Sequence, residues 1–517
     1  MFHKLSANVK INALNRLPKT QRIPSTSSFS TDQQKESCKV AANYKEAVRD
    51  LNRNYQTSRM LVGDGFYTGS YDGKRNTVMR QFLRRIGVTD RDLEKMKIVH
   101  VTGTKGKGST CALVDGILRH NNVKTGFFNS PHLVEVRERI KINGKPIEKE
   151  LYTKHYWQVR NALKNTEKGS LVAQPTWFYF HTLMALHVYK HEGVEAAIVE
   201  VGVGGQYDAT NIFKKPAVCG ITTLDIDHTN ILGTTVDSIA WHKAGIMKPG
   251  VKAFTTSQVV GGMEMLKSRA EEIGASLEIA PCLSSYENEN GVKIDLSSEH
   301  HKLNSSLAMA MCKEYFKQSS RSLDNLDTSL LEGLTKSKTN FNGRSQVLKH
   351  TENLTFYLDG AHTEESIKFA SKWFKSKSAE EANVNNKKVY KVLMFYCTAE
   401  KDSTVFLNSL KQCDFDCAFF TPKTVDKSNN TLVDQEDFLQ RSTYEKQLEG
   451  SRKNLELWNE NVPEKERNKS KSFESVHNTL DCVYELSRDY KVQVFVTGSV
   501  HFVGSCLGVL KPDINET

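Results

Sequence analysis

The stretch Val101-Thr102-Gly103-Thr104-Lys105-Gly106-Lys107-Gly108-Ser109-Thr110 places three glycines and two lysines in front of two hydroxyl residues. Glycines let backbone N–H groups wrap a polyphosphate, and a helix N-terminus adds a dipole that favours anions. Gly103, Thr104, Lys105, Gly106 and Gly108 would form that cradle, and Lys107 can reach the outer phosphates of a nucleotide. Ser109 or Thr110 can ligate Mg2+ or cap the helix. The strict Walker spacing is broken, because Gly108 separates Lys107 from the hydroxyls and Val101 stands where the first glycine would be. The bland alternative is a structural Gly-rich turn.

Other chemistry-bearing residues follow apolar runs. Glu200 lies near the end of the run Glu195 to Val201, beside a Gly-rich turn. A carboxylate at the C-terminal end of a buried strand faces the ligand crevice of an α/β sheet and can hold Mg2+. The alternative is a salt-bridged core glutamate. His228 follows a second run; alone it reads as a hydrogen-bonded structural residue, and Asp227 beside it is a rival metal ligand. Lys243, next to Trp241 and His242, reads by composition as a helix lysine. Further on, Arg344 offers a planar fork for phosphate, Asp359 ends an apolar run, and His362 follows three residues later. Asp359 and His362 could equally cap the next helix.

These residues need a scaffold of alternating strands and helices. Strands are predicted over 97–101, 124–128, 195–201 and 217–224, with helices over 109–120, 177–190 and 236–244. A second unit of the same kind is predicted from Glu299, with a helix from about Lys302 and strands over 355–358, 391–396, 417–420 and 492–496. Such alternation implies mostly parallel sheets covered on both faces. The polar stretches 375–388, 422–432 and 463–471 read as surface insertions.

The chain of 517 residues is long enough for two to four cores. Its 71 Lys plus Arg against 60 Asp plus Glu give a net charge of +11, which suits an anionic substrate. No basic block is interleaved with aromatics and no zinc-finger spacing occurs, so a nucleic-acid partner has no support. The ten cysteines contain no CxxC pair and read as reduced core thiols. The longest apolar stretch, Trp177 to Tyr189, is interrupted by His181, Thr182 and His187, so no integral membrane segment is predicted.

Several motifs together resemble the folylpolyglutamate synthase family of the Mur-ligase superfamily. They are GTKGKGST, TGFFNSPHLVEVRERIKING (Thr125 to Gly144), VEVGVGGQYDATN (Val199 to Asn211), LDIDHTNILG (Leu224 to Gly233) and AWHKAGIMK (Ala240 to Lys248). GRSQVL (Gly343 to Leu348), YLDGAH (Tyr357 to His362) and VTGSVHFVG (Val496 to Gly504) complete the set. They occur in the family's order and span about residues 40 to 510. The resemblance implies a two-domain α/β fold, with an ATP-binding P-loop domain over 40–298 and a Rossmann-like domain over 299–517. It implies a ligase that adds L-glutamate to the γ-carboxylate of folate or tetrahydrofolate polyglutamates, using ATP and an acyl phosphate. Ser130, Glu200 and His228 match positions that hold Mg2+; a second Mg2+ would use Lys243 in carbamylated form. Lys107, His228, Lys243 and His362 become the expected catalytic residues, and Arg344 and Asp359, with His362, contacts to nucleotide or incoming glutamate. Asn304 matches a position near the adenine, although His301 stands where the family usually has Gln. A monomer is expected.

Two rivals stand beside this reading. One is dihydrofolate synthase, a sister activity. The other is a non-catalytic nucleotide-binding scaffold, which would lack an Mg2+ ligand or carry a damaged second site; Glu200, His228, Lys243, Asp359 and His362 are all present.

The first 31 residues carry Lys4, Lys10, Arg16, Lys19 and Arg22 and no acid before Asp32, with Ser and Thr clustered from Ser25. Residues 1–39 therefore read as a mitochondrial presequence, the alternative being a disordered basic tail. No Met lies between Met1 and Met60, and a start at Met60 would remove the expected first helix, Tyr44 to Leu51. The full-length product is expected in mitochondria, with any cytoplasmic pool arising from inefficient import or another transcript.

Overall fold

Runs that are apolar on every residue, such as Ala196–Val199, suit strands covered from both sides. The computed structural model describes residues 31–55, 60–62, 65–67, 74–166, 174–290, 294, 299–319, 325–337, 342–382, 389–398, 402–426, 434, 443–460 and 469–516. Of the expected presequence, 1–39, residues 1–30 lie outside these residues and 31–39 fall within the first helix.

The chain begins its described course with α1 (Thr31–Asn54), a hairpin of β1 (Met60–Val62) and β2 (Gly65–Tyr67), then α2 (Lys74–Arg85) and α3 (Asp90–Lys95). The first large sheet follows. Its elements are β3 (Val99–Thr102), α4 (Lys107–His120), β4 (Thr125–Phe128), β5 (Ile140–Ile142), β6 (Lys145–Pro146), α5 (Lys149–Asn165), α6 (Trp177–His191), β7 (Ala196–Glu200) and β8 (Val218–Ile221). Then come α7 (Thr229–Leu232), α8 (Val236–Ala244), β9 (Lys252–Thr255), α9 (Val260–Ile273) and β10 (Ser276–Ile279). The eight strands run in the order β10-β9-β8-β3-β7-β4-β5-β6. Pairing is parallel from β10 to β4 and antiparallel at β4–β5 and β5–β6. β3 is central, with Val101 opposite both Glu200 of β7 and Gly220 of β8. That register aims the phosphate loop and Glu200 off the same edge.

One face of this sheet is covered by α1, α5 and α6, through Tyr44, Tyr156 and Phe180. The other is covered by α4 together with α11 (Glu299–Gln318) and α12 (Leu326–Lys336), which follow α10 (Leu283–Asn290). Leu307, Met311, Leu330 and Leu331 share a buried cluster with Val114 and Ile117 of α4. The sequence reading began the second unit at Glu299, yet both helices pack on the first sheet.

The second sheet contains β11 (Gln346–Thr351), β12 (Leu354–Leu358), α13 (Glu364–Ala382), β13 (Val389–Phe395), α14 (Thr404–Lys411) and β14 (Cys417–Phe420). It continues with α15 (Tyr444–Glu460), β15 (Lys471–Ser472), α16 (Val476–Asp489), β16 (Lys491–Thr497) and α17 (Val500–Leu510). Strand order is β11-β12-β16-β13-β14-β15, parallel except at β11–β12. The fold is thus the expected α/β pair of mostly parallel sheets.

The described parts of two expected insertions, 375–382 and 422–426, are structured instead. Residues 375–382 continue α13, where buried Ser378 offers its carbonyl to Gln493 at 3.0 Å. Lys423, Thr424 and Val425 are buried, and Thr424 accepts the Val476 amide at 3.0 Å and donates to Gln447 at 3.3 Å. Polar composition misled at both places, because these polar groups find internal partners.

The two units meet on residues 132–139. Leu133 and Val134 belong to the core of the second sheet. A Cβ on Gly504 would fall 1.8 Å from the Leu133 carbonyl oxygen, so only glycine lets α17 approach this closely. Asp434 accepts bonds from Tyr44 Oη at 2.5 Å and the Val136 amide at 2.8 Å, and its carbonyl lies 3.0 Å from His132 Nε2. Fully buried Arg137 donates to Glu135 and to Glu516, each at 2.8 Å.

Candidate active site

β3 delivers its backbone into the phosphate loop, and α4 begins at Lys107 with Gly106 as N-cap at φ 84°. Left-handed backbone there favours glycine. Both flanking glycines are also wedged. A Cβ on Gly103 would lie 1.7 Å from Thr222 Oγ1, and one on Gly106 would lie 2.3 Å from Asn304 Oδ1. The Thr104 and Lys105 amides donate to the Thr223 carbonyl at 3.0 and 3.2 Å. Thr104 Oγ1 donates to the Asp225 carbonyl at 3.0 Å. The loop is thus fastened to the segment after β8.

Two lysines converge on the loop. Lys107 Nζ and Lys243 Nζ both donate to the Gly103 carbonyl, at 3.0 and 2.8 Å. Lys243 sits in the last turn of α8, which Thr235 starts by accepting the Ser238 amide at 3.2 Å. Burial pushes the Lys243 ammonium well below the ordinary lysine range; Lys107 pushes the same way, against Asp227 and Asp208.

Glu200 is 4% exposed at the end of β7 and accepts the Ser130 amide at 3.3 Å. Burial raises its carboxyl, against the pull of Lys107, Arg344 and the Ser130 amide. A Cβ on Gly108 would stand 3.5 Å from Glu200 Oε2 and 3.6 Å from an Arg344 guanidinium nitrogen. Gly108, Glu200 and Arg344 therefore surround one spot at the start of α4, with Arg344 supplied by the second unit. A buried carboxylate oxygen at a strand end, next to the backbone of a hydroxyl residue, is the kind of oxygen donor that fits Mg2+.

His228 occupies left-handed backbone at φ 51°, a conformation costly for a residue with a Cβ and concentrated at functional sites. Burial lowers its imidazole, with Asp227 opposing and Lys107, Lys243 and Lys105 assisting. Lys105 pairs with Asp227 at 4.0 Å. Burial alone would raise Asp227, but His228, Lys105 and, least of these, His362 of the second unit bring it below its usual value.

Asp359 accepts the Ala361 amide at 2.9 Å within its own turn and the Ser345 amide at 2.8 Å from the segment that precedes β11. Burial raises its carboxyl, opposed mainly by these bonds. Neither Asp359 nor His362 caps α13. Thr363 and Ser366 do so reciprocally, at 2.9 and 3.4 Å, and His362 Nδ1 lies 2.9 Å from the Gly360 carbonyl. Asn304 lies against the phosphate loop, accepting from Thr110 Oγ1 at 3.4 Å. Sequence reasoning missed three participants: Thr222 behind Gly103, and the carboxyl pair Asp225 and Glu365, which joins the units beside Lys105. Asp225 lies within LDIDHTNILG and offered a signal; Glu365, on the exposed start of a helix, offered none.

A Gly-rich loop between strand and helix, flanked by Lys107, buried Lys243 and a strand-end carboxylate, defines an α/β protein of the phosphate-loop class. No family model matches the chain. Among curated proteins it is 34% identical to human mitochondrial folylpolyglutamate synthase, over 92% of each chain. It is 38% identical to the folylpolyglutamate synthase of Neurospora crassa, over 91% of this chain and 92% of that one. The chain belongs to the folylpolyglutamate synthase family. Solved structures share the fold: Mycobacterium tuberculosis folylpolyglutamate synthase complexed with ADP aligns at TM-score 0.67 and 21% identity, covering 91% of this chain and 99% of that one. Escherichia coli FolC in complex with DHPP and ADP aligns at TM-score 0.63 and 21% identity, covering 90% and 98%.

Proposed function

We propose that the chain is an ATP-dependent ligase that adds L-glutamate to the γ-carboxylate of folate polyglutamate tails. The observation that carries this is the loop Gly103–Thr110, onto which Lys107, Lys243, Glu200 and Arg344 converge from both units. ATP is the nucleotide. A substrate carboxylate oxygen attacks the γ-phosphorus, the bond to the β,γ-bridging oxygen breaks, and ADP leaves. The glutamate nitrogen then attacks the acyl carbon of the acyl phosphate, inorganic phosphate leaves with the C–O electron pair, and the amine releases a proton. Two anions must approach each other in the first step, so cationic Lys107 and Arg344 lower the cost. Ser130, Glu200 and His228 would hold Mg2+, with Lys243 as a carbamate serving a second ion. Mg2+ there would neutralise phosphate charge. His362 and Asp359 are read as contacts for phosphate or incoming glutamate, and Asn304 as a contact on the nucleotide side.

The first domain is read as continuing through Lys336, since α11 and α12 bury their apolar faces on α4, with the second domain following from about residue 342. Both halves of the site come from one chain, which supports a working monomer. Human, Chinese hamster and bovine relatives are named mitochondrial, so the product is mitochondrial, with a smaller cytoplasmic pool expected. Among the described residues no helix is long and apolar enough to cross a membrane. Dihydrofolate synthase is not favoured, because relatives at 34–41% identity carry the folylpolyglutamate synthase name. The test is ADP release with glutamate plus either tetrahydrofolate or dihydropteroate. Turnover with tetrahydrofolate is expected; turnover with dihydropteroate alone would overturn the reading.

A further inference from the structure

Far from the phosphate loop, three histidines meet at the outer end of the α5–α6 pair. His187 and His191 lie one turn apart on α6, and His155 faces them from α5. One nitrogen from each ring lies within 4.8 Å of the other two. His155 Nδ1 and His187 Nδ1 are 3.0 Å apart. Nitrogens bound to one tetrahedral Zn2+ at ~2.0–2.1 Å stand ~3.3 Å apart, so this pair is already near that spacing.

The surroundings match what metal-ligating imidazoles need, which is a second partner for the other ring nitrogen. His191 Nδ1 lies 2.8 Å from the His187 carbonyl. An acceptor there fixes the proton on Nδ1 and leaves the Nε2 lone pair for a ligand. His155 Nε2 is buried without a hydrogen-bond partner among the described residues, yet the Glu192 carboxylate stands 3.7 Å away. Were His155 Nδ1 to bind a metal, Nε2 would carry the proton and Glu192 would be its acceptor. The neutral form needed for ligation is also favoured. Burial brings His155 down to about 4 and His187 to about 3. Lys154 and Lys190 add to that lowering, and Glu192 is the anionic group that opposes it at His155.

We propose that His155, His187 and His191 form a binding site for a divalent transition-metal ion, Zn2+ in particular, with water in the fourth position. Imidazole nitrogen selects such ions over Mg2+. The site would pin α5 to α6. The other end of α6 carries Phe178, which packs against Gly202 beside the Glu200 turn. It lies ~20 Å away along the helix, so the metal is structural and takes no part in turnover.

The test uses the full-length protein, stripped with chelator and kept in excess Mg2+ to occupy the catalytic site. Every protein carries Cys282→Ser, because this exposed thiol would also take Zn2+. Zn2+ stoichiometry and the visible absorption of bound Co2+ are read for the parent, His191→Ala, His155→Gln and the remote control His477→Ala. The parent and control are expected to bind one more Zn2+ than either histidine variant and to show an intense Co2+ band that the variants lose. A Zn2+-dependent rise in Tm should appear in the parent alone of the parent and His191→Ala. His191 is exposed, so its replacement leaves the packed core untouched, and circular dichroism checks the fold. Equal stoichiometry in parent and His191→Ala, or no bound ion in the parent, overturns the site and leaves a neutral histidine pair sharing one proton.

Discussion

Lys107 and Lys243 share one acceptor, the Gly103 carbonyl, which they reach from two different helices at 3.0 and 2.8 Å. Only one of these amines lies at the start of the phosphate-loop helix. Lys107→Ala should therefore lower kcat/KM by at least ~10²-fold, because the lost charge matters most as phosphate transfers. Steady-state kinetics on a variant with an unchanged circular dichroism spectrum is the measurement. Near-normal turnover would remove Lys107 from the chemistry.

Lys243 is 3% exposed, and burial disfavours its ammonium form. A neutral amine is the species that reacts with CO2. Activity should fall in CO2-depleted buffer and return with bicarbonate, and mild mass spectrometry should find the added carbamate. Lys243→Ala should be nearly inactive in either buffer. Full activity of that variant would end any role for this lysine.

Glu200→Gln keeps the side chain's shape and its contact with the Ser130 amide but removes the charge. Half-maximal activity should then require at least ~10-fold more Mg2+. An Mg2+ titration that overlays the parent's would shift the ligand role to Asp227.

Burial brings Asp434 up to about 6, with Glu135 and Glu138 adding to the rise against the bonds from Tyr44 and Val136. The folded protein thus keeps a proton that the unfolded chain releases near ~3.9. That contribution is fully present below ~3.9 and is lost as pH rises through about 6, by up to ~3 kcal/mol. Asp434→Asn cannot ionise. Its Tm should rise relative to the parent's between pH 4.5 and 7.5, and parallel curves would show that this carboxyl does not titrate.

The strands that carry the site were legible because they are buried on both faces. Residues 417–420 were read with the observed bounds, and 355–358 differs from β12 by one residue. The helix 236–244 was also read as it stands, since its Thr235 cap and Gly245 stop are local signals. The phosphate loop, Glu200 and Lys243 were legible as residue types, and the structure gathers them. Partners distant in sequence were not. Asp434 sits in a polar stretch, and its role depends on Tyr44, 390 positions away. The allegiance of α11 and α12 was hidden for the same reason: an amphipathic helix reveals which face is apolar, not which sheet will receive it.

The join between the units has a mechanical consequence. Residues 133–138 are gripped by Gly504 from α17, by Asp434, and by Asn515, which donates to Glu138 at 2.8 Å. Three fastenings on six residues make a clamp, not a tether. The segment that leaves β4 is thereby held in common by the sheet that carries the phosphate loop and by the sheet that carries Arg344 and His362. A substitution that loosened it would be felt at both walls of the site at once, although none of its residues need touch a substrate.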